Sequence, residues 1–171
     1  DARQLEDVYQ IIHEYVRDLM RVDTFIISSF SHQTNLIHAK YVFTNGQVCD
    51  VTAYPPIPLN ESENGGPQSQ VIITGKAIYY PDYLAAIEAS KTLYHISDTG
   101  QVNKTHPISE YEEPVTRSAI FAPIKEKGET VGVIQVQSHE LEGYEQDDVD
   151  ILAALANVAA IAIQNASLLE N

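Results

Sequence analysis

The sequence has one cysteine, Cys49, and no tryptophan. A single thiol excludes an internal disulfide and suits a reducing compartment. It also excludes the cysteine pair that a thiol-based reductase needs to resolve its oxidised form. Basic residues are scarce: 10 Lys and Arg stand against 24 Asp and Glu, for a formal net charge of −14. Such a surface repels phosphate backbones and anionic lipid, so neither nucleic acid nor a membrane surface is an expected partner. No Walker lysine motif and no G-x-S-x-G elbow occurs. The six histidines form no H-x-x-x-H pair and none stands at zinc-finger spacing from Cys49. No signal peptide is visible. The chain opens on Asp1, and we expect it to be a cytoplasmic segment of a longer protein.

What is present is an ordinary globular composition for one domain spanning 1–171, 44% hydrophobic and 20% charged. Leu5, Val8, Ile12, Tyr15, Val16 and Leu19 recur at helical spacing and predict a first helix. Thr24 to Phe30 and Leu36 to Phe43 read as strands, and Asn45-Gly46 as the tight turn of a hairpin returning through Gln47 to Val51. Pro55-Pro56-Ile57-Pro58 predicts a break. Helices are expected over about Gln68 to Thr74 and Tyr83 to Lys91, the second capped by Asp82, with a short strand Ala77 to Tyr80 between them. Thr92 to Val115 shows little periodicity and reads as a long loop over a binding site. Arg117 to Ile124 and Thr130 to Ser138 predict an antiparallel pair around a turn at Gly128. A final helix of about 24 residues, about 36 Å long, should project past the sheet it covers.

That last helix is uncharged from Ile151 to Leu169, close to the length that spans a bilayer. Its many alanines, the interruptions at Asn157, Gln164 and Asn165, and acidic flanks without Lys or Arg argue instead for a helix buried on several sides by protein. The predicted class is α+β, a central antiparallel sheet of about six strands with helices at both ends of the chain.

The C-terminal third carries Arg117-Ser118-Ala119-Ile120-Phe121-Ala122-Pro123-Ile124, then Gly128, then Val131-Gly132-Val133-Ile134-Gln135-Val136. Asp148, Leu155-Ala156, Ala159-Ala160, Ala162-Ile163 and Asn165-Ala166 follow in order. This run resembles the GAF family of small ligand-binding sensor domains. The upstream part agrees in element order only. The resemblance implies terminal helices on one face of the sheet, with middle helices and loops on the other, where a small molecule binds. It implies a regulatory module of a prokaryotic signalling protein such as a sensor histidine kinase, dimeric through its terminal helices and joined to an output domain of the same chain. The physical chemistry agrees at Gly132, which removes a side chain where another backbone can approach.

Candidate ligand contacts are Tyr54, Tyr80, Tyr83, Tyr94, His95 and Ser118, drawn from segments expected to cover the binding face. Tyrosine offers apolar area with a polar tip, which suits a small-molecule pocket. Haem or bilin held by Cys49 or His38 is a weaker alternative, because the Cys-His pair of bilin-binding relatives is missing: Asp50 follows Cys49. Asp98-Thr99-Gly100 opens like a calcium loop, but Ser109 stands where the bidentate Glu is required. Lacking a nucleophile–base pair, a metal cluster and a phosphate loop, the domain is expected to be non-catalytic. The competing reading is a ligand-free scaffold that only dimerises or relays.

Overall fold

The structure, a computed structural model, describes residues 2–62, 65–89, 94–96, 102–104 and 115–170. Helix α1 (Ala2–Leu19) leads into strands β1 (Thr24–Ser31), β2 (Leu36–Thr44) and β3 (Gln47–Val48). A short 3-10 turn (Val51–Ala53) and β4 (Ile57–Pro58) precede α2 (Pro67–Thr74), β5 (Ile78–Tyr80) and α3 (Tyr83–Ala89). Next come β6 (Tyr94–Ile96) and β7 (Val102–Lys104), then β8 (Ser118–Glu126), β9 (Glu129–Ser138) and α4 (Gln146–Glu170).

The main sheet runs β3-β2-β1-β9-β8-β5, with β4 pairing β2 and every pairing antiparallel. Local chemistry explains most elements. Asn45 and Gly46 both take positive φ, 52° and 75°, the twist that joins two adjacent antiparallel strands. Asp82 Oδ1 accepts from Ala85 N–H at 3.2 Å and caps α3. Acidic Asp147 and Asp148 occupy the first turn of α4, and Asp148 Oδ2 accepts from Glu145 N–H at 2.8 Å.

Three elements differ from expectation. The returning strand stops at Val48; Asp50 Oδ1 then accepts from Thr52 N–H and Oγ1 at 3.0 and 2.7 Å and bends the chain into the 3-10 turn. The proline segment still yields β4, because Ile57 and Pro58 sit at the sheet edge, where a missing donor is tolerated. Within the expected long loop, β6 and β7 pair as a hairpin of their own. The rest of that stretch, including the calcium-like residues Asp98 to Gly100 and Ser109, lies outside the described residues.

Two apolar layers flank the sheet. Phe25, Ile27, Ile120, Ala122, Ile134 and Val136 pack with Tyr9 and Val16 of α1 and with Leu152, Ala156 and Ala159 of α4. On the second face Phe30, Ile37, Ala119, Phe121 and Val133 pack with Val71 and Ile72 of α2 and Leu84 and Ile87 of α3. The period of two along each strand sends alternate residues to opposite layers. Beyond α1, Arg21 Nη1 donates to Glu140 Oε1 at 2.7 Å and Tyr144 Oη donates to Arg21 O at 2.8 Å. These bonds fasten the exit of α1 to the entry of α4.

Helix α4 is not buried on several sides. Leu152, Ala156, Ala159 and Ala166 are buried, while Val158, Ile161, Leu168 and Leu169 are each more than 60% exposed: 64%, 63%, 66% and 71%. The helix is long and apolar enough to cross a membrane by length and composition. In this fold it is one layer of the domain, with its small residues set against the sheet.

Candidate functional site

The second face of the sheet carries an unusual share of the buried polar groups. The strand register explains why they meet. Tyr80 on β5 stands opposite Ala119 on β8, Ala119 opposite Gln137 on β9, Gln137 opposite Thr24 on β1, and Thr24 opposite Thr44 on β2. The neighbouring row is Ile78, Phe121, Gln135, Ile26 and Val42. Ser28 lies one step further, opposite Val133.

Thr24, Ser28, Thr44, Thr116, Gln135 and Gln137 are all buried. Thr24 Oγ1 and Thr44 Oγ1 share a hydrogen bond of 2.8 Å. Thr116 Oγ1 donates to Gln137 Oε1 at 2.7 Å, and Gln137 Nε2 donates to Gln135 Oε1 at 3.0 Å. Gln68 Nε2 of α2 donates to Ser28 Oγ at 3.3 Å. Buried polar side chains normally satisfy one another. Here the series ends on Gln135 Nε2, which has no partner among the described residues.

Of the six residues picked from sequence, two come together. Tyr83 stacks on Phe121 with ring centroids 6.0 Å apart, and Tyr80 meets Phe121 edge-on at 5.7 Å. Tyr80 is half-buried at the β5 end of the polar row, and burial holds its phenol above the ordinary pKa. Tyr83 is buried within the second apolar layer. Tyr54 follows the 3-10 turn beside β2, at the opposite side of the sheet from β5. Burial and a hydrogen bond with Cys49 push its phenol pKa up. Tyr94 and His95 lie on β6, and their side chains are outside the described residues.

Ser118 is on the other face. It shares the orientation of Ile120, donates from Oγ to Glu140 O at 2.6 Å and accepts from Gly143 N–H at 3.1 Å. It fastens the loop that enters α4. Ser118→Ala should therefore lower stability by about 1 kcal/mol in urea unfolding and leave ligand affinity unchanged. A loss of affinity without a loss of stability would return Ser118 to the site.

For metal or haem the described residues offer little. They hold no group of three His, Cys, Asp or Glu side chains suited to a metal ion. His38 stands opposite Ser29, on the strand positions that face the terminal helices, and Cys49 is half-buried against Tyr54. A groove of about 260 Å3 does occur on the terminal-helix side, lined by Ile124, Val131, Ile163 and Leu168 among others.

Gln135, Gln137, Thr24, Thr44 and Thr116 were not picked from sequence. Their signal is weak: two glutamines two residues apart on a strand look like positions facing water. Only the central place of β9, with strands on both sides and a helix over each face, makes them buried.

The domain is thus α+β, with the helices of both termini on one face of an antiparallel sheet and buried polar side chains on the other. The GAF domain family matches residues 2–164, and the chain belongs to that family. Solved structures agree in fold. The GAF domain of a two-component sensor histidine kinase from Bacillus halodurans is 17% identical, with a TM-score of 0.64 over 97% of each chain. A methyl-accepting chemotaxis protein fragment is 19% identical, with a TM-score of 0.65 over 96% of this chain and 92% of that one. The type II free methionine-R-sulfoxide reductase from Thermoplasma acidophilum is 16% identical, with a TM-score of 0.62 over 95% of this chain and 96% of that one. No curated protein matches the chain.

Proposed function

We propose that this is a non-catalytic sensory GAF domain of a cytoplasmic prokaryotic signalling protein. It binds a small molecule on the second face of the sheet and passes occupancy to an output domain through α1 and α4. The observation that carries this reading is the row of buried hydroxyl and amide groups across β9, β1 and β2, extended by Thr116 just before β8. Burying polar groups in a sheet face costs stability unless they are satisfied, and stability alone would be served better by apolar residues. Family membership and the signalling relatives support the same reading.

The reductase relative raises the enzymatic alternative. One cysteine, Cys49, hydrogen-bonded to Tyr54, lacks a resolving partner. A thermal-shift screen of metabolites, nucleotides and haem tests the sensor reading. Reproducible shifts support it, and a flat screen favours the scaffold. Turnover of free methionine sulfoxide with a thiol reductant would overturn the non-catalytic part.

The route to the output domain is a homodimer through the terminal helices. Ile11, Tyr15 and Leu19 of α1 are 56%, 63% and 48% exposed, spaced four residues apart on one stripe. Val158, Ile161 and Leu168 form a similar stripe on α4. Ile163 is a poor probe, because it packs toward Ile124 and Val131. Ile161→Lys should shift light scattering toward the 19.0 kDa monomer while the far-UV spectrum stays unchanged. A wild-type monomer at high micromolar concentration would reject the dimer.

A further inference from the structure

The chain Thr116–Gln137–Gln135 is a hydrogen-bond relay with one closed end and one open end. Its closed end is the Thr116 hydroxyl, 2.7 Å from Gln137 Oε1; its open end is Gln135 Nε2. Gln135 is only 3% exposed, so water does not replace the missing acceptor freely. The residues directly opposite it are Ile26 on β1 and Phe121 on β8, neither of which carries a side-chain acceptor. Turning both amides over reverses every bond. Gln135 then donates to Gln137, Gln137 donates to Thr116, and the open end becomes Gln135 Oε1. Either way one amide edge is left for another molecule.

Charge narrows the class. Among the described residues, the buried polar side chains include no Asp, Glu, Lys or Arg. A charged ligand group placed against this relay would lose its hydration without a counter-charge. Arg117, half-buried next to Thr116, is the described cation nearest the relay in sequence. Shape narrows it further: Phe121 beside Gln135 belongs to an aromatic cluster with Tyr80 and Tyr83, which suits a flat ring.

Resting on the reading that the second face binds the ligand, we propose that the sensed molecule is an uncharged planar heterocycle with a lactam-type edge. A ring N–H beside a carbonyl satisfies Gln135 in either polarity of the relay, and the ring body lies toward Phe121.

Calorimetric titration with uracil, hypoxanthine and 2-pyridone as neutral probes, and glutamate, inorganic phosphate and AMP as charged ones, tests this. At least one neutral probe should bind. Gln135→Met should weaken that binding about tenfold or more, and Thr116→Val, which leaves Gln135 in place but breaks the closed end, about threefold. Circular dichroism reports whether each variant folds; if Gln135→Met does not, Thr116→Val decides alone. Neutral binding unmoved by the variants overturns the inference. Binding of charged probes only, lost in Arg117→Gln, also overturns it and leaves the sensor reading standing. Binding by no probe overturns it too, and the wider metabolite screen then decides the sensor reading separately.

Discussion

Gly132→Ala should lower the free energy of unfolding by about 3 kcal/mol, measured by urea denaturation. A Cβ at Gly132 would lie 2.5 Å from Ser28 O and 3.3 Å from Ile124 Cδ1. The first contact is with main chain of β1, which cannot step aside as a side-chain tip can. The register of β1 on β2 also shifts between Ile27 and Ser28, so β1 is already bent here. Relief requires opening the β1–β9 ladder at the centre of the sheet, and both apolar layers rest on that ladder. Gly46→Ala makes a useful control: its φ is 75° and nothing lies within 4 Å of an added Cβ. That substitution should cost only about 1 kcal/mol, from backbone strain alone. Equal costs at the two glycines would show that β1 yields easily and that close approach is not what selects Gly132.

The second large effect is acid sensitivity through His13. This imidazole on α1 is 3% exposed, stacked on Phe25 at 4.9 Å and tilted against Phe43 at 4.4 Å. Its Nδ1 shares a hydrogen bond with Tyr41 Oη at 3.0 Å, and its Nε2 has no partner among the described residues. Burial, with help from the Arg17 charge and against that of Glu14, lowers its pKa from 6.5 to about 4. Between those values the unfolded chain holds a proton that the folded one does not. Stability therefore falls as pH falls through that window and is fully present above 6.5. From pH 7.5 to pH 5 the loss attributable to His13 should be about 2 kcal/mol. Carboxylates titrate in both proteins, so the measurement is the difference between wild type and His13→Leu across that range. Parallel curves would mean that the imidazole takes up its proton at the same pH in the folded and unfolded chain and that burial does not disfavour its charge.

The backbone plan was readable because its signals are local. Asn45-Gly46 marks a hairpin, Asp82 a helix cap, and Val131-Gly132-Val133 a strand pressed against its neighbour; each needs only a few adjacent residues. Orientation is a different kind of information. Ser118 and Ala119 are adjacent in sequence, yet one fastens the loop before α4 and the other joins the second layer with Phe121. Nothing in the pattern Arg-Ser-Ala-Ile-Phe-Ala tells which face carries the ligand, because β8 is apolar toward both. The tyrosines stand out in the sequence by their chemistry and position, and Tyr80 and Tyr83 lie at the β5 end of the polar row. The amides of Gln135 and Gln137 escaped notice for a topological reason. Alternation along β9 shows two faces, and only the helices laid over the second face bury the one that carries these amides. The extent of β3 and β4 depended on Asp50 side-chain bonds and on an open sheet edge, neither of which leaves a periodic trace.

Helix α4 packs on the terminal-helix side through Leu152 near its start, then through Ala156 and Ala159, and further on through Ile163. Leucine is a knob that must sit in a hole; alanine has no side-chain rotamer to interlock. The helix therefore has a knob near its start, a smooth stretch of alanine, and a second knob at Ile163, set against Ile124 and Val131. Leu152 and Leu169 are separated by about 25 Å of helix. A tilt of about 5° around Leu152 would slide Ile163 by about 1.4 Å against Ile124 and Val131 and carry the Leu169 end through about 2 Å by that lever arm.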